Sequence, residues 1–378
     1  MQTEHSYNTI RKIQFWRLIL TSKPFKVQAV ANLLGITVDA VRRDSEEAGI
    51  QVARQAGDGP KTRLFTIQNI YELAAFRAKK TLVKPKKKVI MTVYAPKGGV
   101  GKTTIASNLS SIFPLLGLKT LVIDLDFQAN LSMSFGYDAE MTHEEAIEVN
   151  KPVETCVDFH FGNLLPQWQQ NEPPSLNAVL KKPYGEYGPH LIPAEVSLDR
   201  LEALFTLDAI MSKQPELAIA KFLHEGRSGQ NKNIDLSQYD IIIFDAPPAK
   251  NQTTRGALLA SDFVLAPVSM EKYSTKSVSY LSKVLSEMES SLGKYPELII
   301  LGNFFDATRV RVAAQVLALT NQYKNAWLNK TIGSSEEFKK VLSSDDYELP
   351  LALAKPSAQS ALELRSVAQA LIEKMGIL

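Results

Sequence analysis

The sequence predicts an α/β fold, a mostly parallel sheet flanked by helices, preceded by a small winged helix-turn-helix domain. From residue 89 onward, apolar runs alternate with amphipathic stretches, the order of strands joined by helical crossovers. The first of those runs, Val89-Ile90-Met91-Thr92-Val93-Tyr94, leads through a glycine-rich loop into a helical pattern. The first 80 residues read differently: helix, glycine turn, helix, then short extended runs around Gly57-Asp58-Gly59-Pro60. The expected boundaries are 1–80 for the N-terminal domain, 81–88 for a basic linker and 89–378 for the α/β domain.

At 378 residues the chain should hold at least two folding units, since single cores stop growing near ~250–300 residues. Hydrophobic residues make up 45% and charged residues 22%, an ordinary globular balance. No run of about 18 apolar residues is available to cross a bilayer, and the start Met1-Gln2-Thr3-Glu4-His5 lacks the order of a secretory signal. A cytoplasmic protein without a membrane partner is expected. The single Cys156 excludes an intrachain disulfide and a cysteine-ligated cluster within one chain. The net charge of +3 is unevenly divided: residues 1–92 hold 17 Lys+Arg and 7 Asp+Glu, a balance of +10 that leaves −7 for the remainder. That asymmetry points to an acidic partner such as nucleic acid.

In chain order, Ile10, Ile13, Phe15, Trp16, Leu18 and Ile19 predict an opening helix over about 7–21. Residues 27–34 form a second helical pattern that Gly35 breaks, and helix resumes over 37–47. The second helix of such a pair can lie in a major groove, with Arg42 and Arg43 exposed to DNA. The wing expected over 50–66 carries Arg54, Lys61 and Arg63 near its tip, with a further helix from Thr66. The polybasic Lys79-Lys80 and Lys84-Pro85-Lys86-Lys87-Lys88 read as the linker.

The loop after the first strand is Lys97-Gly98-Gly99-Val100-Gly101-Lys102-Thr103-Thr104. Its glycines let successive backbone N–H groups turn onto a phosphate. The following helix adds its dipole, Lys102 neutralises β/γ oxygens and Thr103 offers a hydroxyl to Mg²⁺. A nucleoside triphosphate site follows, although Pro96 stands where G-x-x-x-x-G-K-[ST] begins with glycine. A second lysine, Lys97, sits inside the loop. KGGVGKTT resembles the deviant Walker A motif of the ParA/MinD family, in which this extra lysine reaches the nucleotide of the partner subunit. The resemblance covers about residues 89–375, and 1–80 more loosely resembles the N-terminal portion of long plasmid-encoded ParA proteins. It implies a deviant-Walker P-loop NTPase fold, ATP and ADP with Mg²⁺ as cofactors, and an ATP-dependent homodimer.

Two further strands end in acids. The run Lys119–Ile123 delivers Asp124-Leu125-Asp126-Phe127-Gln128-Ala129-Asn130, and Tyr239–Phe244 ends at Asp245. Carboxylates at strand ends face the ligand side of an open α/β sheet. The first string resembles the family's D-x-D-P-Q-x-N segment, which assigns water positioning to Asp126 and puts Asp124 near the metal; Phe127 replaces the usual proline. Asp245, in the Walker B pattern, would hold a metal-bound water or the Thr103 hydroxyl. Helices are expected over 175–180, 198–223 with a break at Pro215, 274–288 and 357–375, and strands over 190–194, 261–268 and 298–306. Asn303 lies where the family's asparagine hydrogen-bonds adenine, and Arg309 and Arg311 lie where its arginines meet DNA phosphates. Residues 141–175 carry no readable function. The resemblance implies a DNA partition ATPase that binds DNA nonspecifically, associates with the nucleoid, answers to a ParB-type partner and represses its own operator. A nucleotide-responsive repressor without turnover and a MinD-like positioning ATPase are the alternatives.

Overall fold

The computed structural model describes residues 24–55, 62–168, 173–269, 274–293, 296–305, 310–335 and 349–378. The helix expected over 7–21, the wing tip with Lys61, and Arg309 lie outside them.

In the N-terminal part, β1 (Phe25–Lys26) runs into α1 (Val27–Leu34), which Gly35 ends in the left-handed region. The Thr37 hydroxyl accepts from Ala40 N at 3.2 Å and so caps α2 (Val38–Glu47). β2 (Ala53–Arg54) and β3 (Arg63–Phe65) pair antiparallel, and β1 adds to the other side of β3. That third strand was not anticipated, because two residues are too few to show an alternation. A reciprocal cap between Thr66 and Asn69 opens α3 (Ile67–Lys80).

The second part runs β4 (Val89–Val93), α4 (Lys102–Leu115), β5 (Thr120–Asp124), α5 (Asn130–Ser134), α6 (His143–Glu148), α7 (Leu176–Val179), β6 (His190–Ile192), α8 (Asp199–Ile210) and α9 (Leu217–Ser228). It continues with β7 (Ile241–Asp245), α10 (Gln252–Ala260), β8 (Phe263–Ser269), α11 (Ser274–Leu292), β9 (Glu297–Phe305), α12 (Val310–Gln322), β10 (Trp327–Gly333), α13 (Leu351–Ala354) and α14 (Gln359–Met375). The strands form one sheet in the order β10-β9-β8-β4-β7-β5-β6, parallel at each junction. The central strands are buried on both faces, which is why they read as unbroken apolar runs. One face carries α4 and α14 through Ile105, Leu109, Phe113, Leu364 and Leu371. The opposite face carries α8 and α9 near β5 and β7, through Leu201, Phe205 and Phe222, and α11 near β8 and β9, through Leu281 and Leu285. Among the described residues, no helix is long and apolar enough to cross a membrane.

The basic stretch 81–88 is tied down at its C-terminal end. Lys86 N donates to Ile377 O at 2.7 Å, the Lys87 ammonium lies 5.2 Å from the Phe263 ring centroid, and Lys88 Nζ donates to Ser237 O. Packing also crosses the expected boundary. Tyr71 Oη on α3 donates to Ser111 O on α4 at 2.9 Å, and its ring stacks on Tyr184. Asn32 Nδ2 donates to Ser357 Oγ at 2.9 Å, while the Arg365 guanidinium serves the carbonyls of Asn32 and Pro356. One buried apolar cluster therefore runs from Phe25 to Ile377.

Candidate nucleotide site

The phosphate loop leaves the C-terminal end of β4, between β7 and β8 in the middle of the sheet. Gly99 and Gly101 adopt φ of +71° and +86°. At Gly101 a Cβ would stand 2.5 Å from Asn303 Nδ2, so both the backbone and the neighbour demand glycine. Gly98 and Gly99 are exposed and Thr103 is half-buried, which leaves the mouth of the loop open to a phosphate. Lys102 is buried where α4 begins, its Nζ 3.5 Å from the carbonyl of Lys97. Burial lowers its pKa, against the opposing pull of Asp245 and Asp126.

Asp124 and Asp245 end adjacent strands in register. Among the described residues neither carboxylate oxygen of Asp245 meets a partner at hydrogen-bond geometry, although both are buried and the Thr103 hydroxyl lies close enough to lower its pKa. Burial and the charge of Asp124 raise that pKa well above the ordinary carboxylate range. A buried acid with two unmatched oxygens beside Thr103 fits the water shell of a divalent cation.

Asp124, expected near the metal, is also bound into the turn that follows β5. Its Oδ2 accepts from Ser132 N at 2.9 Å and Ser132 Oγ at 2.8 Å, and its Oδ1 accepts from Asp126 N at 3.1 Å. The chain after β5 folds back over this carboxylate and engages both oxygens, so Asp124 organises the turn. Burial pushes its pKa up to about 7. Asp126 is half-buried, with Oδ1 accepting from Gln128 N at 3.1 Å. Asn303 is buried; its Nδ2 donates to the carbonyl of Val100 at 2.8 Å and its Oδ1 has no partner among the described residues. It is thus a brace for the phosphate loop with one acceptor left over.

Residues 87–298, more than half of the chain, match the model of a family described as an AAA domain. The chain belongs to that family. It is 26% identical over 275 residues to the chromosome-partitioning ATPase Soj of Treponema pallidum, covering 71% of this chain and 93% of the relative. Its fold is similar to that of cobyrinic acid a,c-diamide synthase from Mycobacterium smegmatis with bound ADP and magnesium (TM-score 0.56, 20% identity, 76% of this chain and 96% of that one). It is also similar to a putative plasmid partition protein from Borrelia burgdorferi bound to AMPPNP (TM-score 0.52, 20% identity, 76% and 100%). Within the AAA domain family, the chain is a ParA/MinD-type ATPase.

Elsewhere in this AAA-domain ATPase, Arg42, Arg43 and Arg63 gather beside α2, each against a carboxylate. Arg42 pairs with Asp39 at 3.2 Å, Arg43 with the buried Asp44 at 3.1 Å, and Arg63 with Glu46. Asp44 also meets Arg77 and Lys80, and the hydrogen bond from Arg43, with the contacts of Lys80 and Arg77, holds its pKa below the usual value against the effect of burial. Arg311 lies on α12. Sequence reasoning missed Ser132, Glu202 and His160. Glu202 accepts from Gln252 N, Thr253 N and Thr253 Oγ1, each at 3.0 Å, at the start of α10. Only the acid-before-helix preference hints at such a cap, and here the acid comes from another helix.

Proposed function

We propose that the protein is a DNA partition ATPase that binds Mg²⁺ and ATP, dimerises on ATP with Lys97 crossing to the partner's nucleotide, and hydrolyses ATP to ADP and phosphate. The observation that supports this best is a second lysine in a phosphate loop that already has Lys102 buried at its base. In the deviant Walker A loop that KGGVGKTT resembles, such a second lysine serves the nucleotide of the partner subunit. Thr103 and Asp245 would hold Mg²⁺, which when bound neutralises charge between the β- and γ-phosphates. The backbone N–H groups of residues 98–104 cradle the phosphates, Lys102 and Lys97 stabilise charge on the transferring group, and Asp126 positions the attacking water. With Asn303 Nδ2 committed to Val100, only Oδ1 remains for the base. A lone acceptor suits the amino group of adenine and opposes the carbonyl of guanine.

DNA is the second ligand of this reading. Arg309 and Arg311 of two subunits would meet phosphates without regard to sequence, placing the protein on the nucleoid, and the N-terminal unit would bind its own operator as a winged helix-turn-helix. A ParB-type protein would stimulate hydrolysis. The test is ATP turnover with Mg²⁺, alone and with DNA and a ParB-type protein. Stimulated turnover that Lys97→Ala abolishes supports the reading, and turnover indifferent to Lys97 overturns the dimer mechanism. A pure repressor would bind operator and nucleotide but show no turnover under any of these conditions.

A further inference from the structure

Two loops border the phosphate site, residues 125–129 after β5, which holds Asp126, and 246–251, which follows Asp245 at the end of β7. Both are held by one stretch of chain, residues 194–202, which belongs to neither loop. At its start the Ala194 N–H donates to Ser132 Oγ at 2.9 Å. Ser132 passes two hydrogen bonds on to Asp124, whose other oxygen accepts from Asp126 N at 3.1 Å. At its end Glu202 takes the three hydrogen bonds from Gln252 and Thr253 that close the second loop onto α10. Between these points the stretch is propped from behind. His160 Nδ1 accepts from Gly162 N at 3.0 Å, so the ring proton sits on Nε2, which faces Ser197 Oγ at 3.1 Å and Glu195 Oε1 at 3.2 Å.

We propose that residues 194–202 form a brace that fixes these two loops relative to each other, with Ser132 and Glu202 as positioning residues for hydrolysis. Ser132 and Ala194 are buried, so water cannot replace the first contact. The second contact is a carboxylate on helix N–H groups, a charge-assisted bond. The effect on rate follows from orientation: a displacement of ~1 Å at a reacting group costs as much as ~100-fold. The proposal rests on the reading of Asp126 as the group that positions water, and the test separates the two.

The experiment uses the full chain with saturating Mg²⁺ and ATP in the presence of DNA. Ser132→Ala and Glu202→Gln should each lower kcat about tenfold, a loss of orientation, while affinity for a fluorescent ATP analogue stays within about twofold. Ser132→Thr, which keeps the hydroxyl, should restore the rate. Since either cut releases the same brace, the double variant should lose less than about twofold beyond the worse single variant. Unchanged kcat in both single variants, equal losses in kcat and affinity, or losses that multiply in the double variant would overturn the brace. If Ser132→Ala does not fold, Glu202→Gln and Ser132→Thr decide by the same criteria. A wild-type rate for Asp126→Ala alongside slowed Ser132→Ala and Glu202→Gln supports the brace and removes the water-positioning role from Asp126.

Discussion

Lys102 and Lys97 occupy one loop, yet they should fail in different ways. Lys102→Ala removes the buried charge facing the β/γ-phosphates, so nucleotide affinity should fall by about 100-fold or more, the scale of a lost charge-assisted contact; titration with a fluorescent ATP analogue measures it. Lys97→Ala should leave that affinity within about threefold while abolishing the ATP-dependent dimer, because in the proposed dimer its contact is with the transferring charge of another subunit; light scattering with ATP reads the difference. Asn303→Ala should weaken ATP and GTP together through the lost loop brace and reduce the preference between them, which competition with GTP measures. These residues were legible because phosphate chemistry needs them contiguous or at strand ends. The use made of Asp124 was not. Its partner Ser132 is eight residues away, and Ser132 is held in turn from the end of β6, a relation that only the folded sheet creates.

The elements repeat that division. β4, β5, β7, β8 and β9 stood out as apolar runs because parallel strands are buried on both faces. α10 and β10 did not: Gln252–Ala260 carries Thr253, Thr254 and Gly256, weak helix formers, and β10 exposes Asn329 and Lys330 at an edge of the sheet. The segment 153–168, unreadable in sequence, has a role that pH can expose. Burial lowers the pKa of His160 to about 4, and Gly162 N already occupies the nitrogen that protonation would use. Because the folded-state pKa lies below the unfolded value, the neutral ring stabilises the fold above about pH 6.5, and that stability drains away as pH falls toward 4. The loss should approach 3 kcal/mol on the scale of ~1.4 kcal/mol per pKa unit. Urea melts of wild type and His160→Gln between pH 7 and 4 should show a flatter decline in the variant. On α3, Tyr71→Phe deletes the donor to Ser111 O and should cost about 1 kcal/mol, since it removes one buried hydrogen bond but keeps the ring; the same melts read it at pH 7.

For the molecule as a whole, nonspecific DNA binding should require ATP, and its dependence on salt should steepen with dimerisation. Each phosphate neutralised adds roughly 0.9 to the slope of log K against log salt, so doubling the contacts doubles the slope; a salt series with and without ATP tests it. Arg42→Ala with Arg43→Ala should weaken operator binding while leaving basal ATP turnover intact. The exposed pairing of Arg42 with Asp39 is worth only ~0–1 kcal/mol and yields readily to phosphates, and Asp44 keeps Arg77 and Lys80 when Arg43 turns to DNA; a mobility-shift assay on the chain's own promoter measures the loss. The joint between the two halves sets a further limit. Tyr71 of α3 against Ser111 of α4, and Asn32 of α1 against Arg365, tie the elements around α2 to the catalytic half. In a dimer the pair of α2 helices would then act as a caliper of fixed span, able to grip only half-sites whose spacing matches its jaws. Inserting about 5 bp between half-sites turns the second to the far side of the duplex and should abolish binding, whereas about 10 bp restores the face but not the distance.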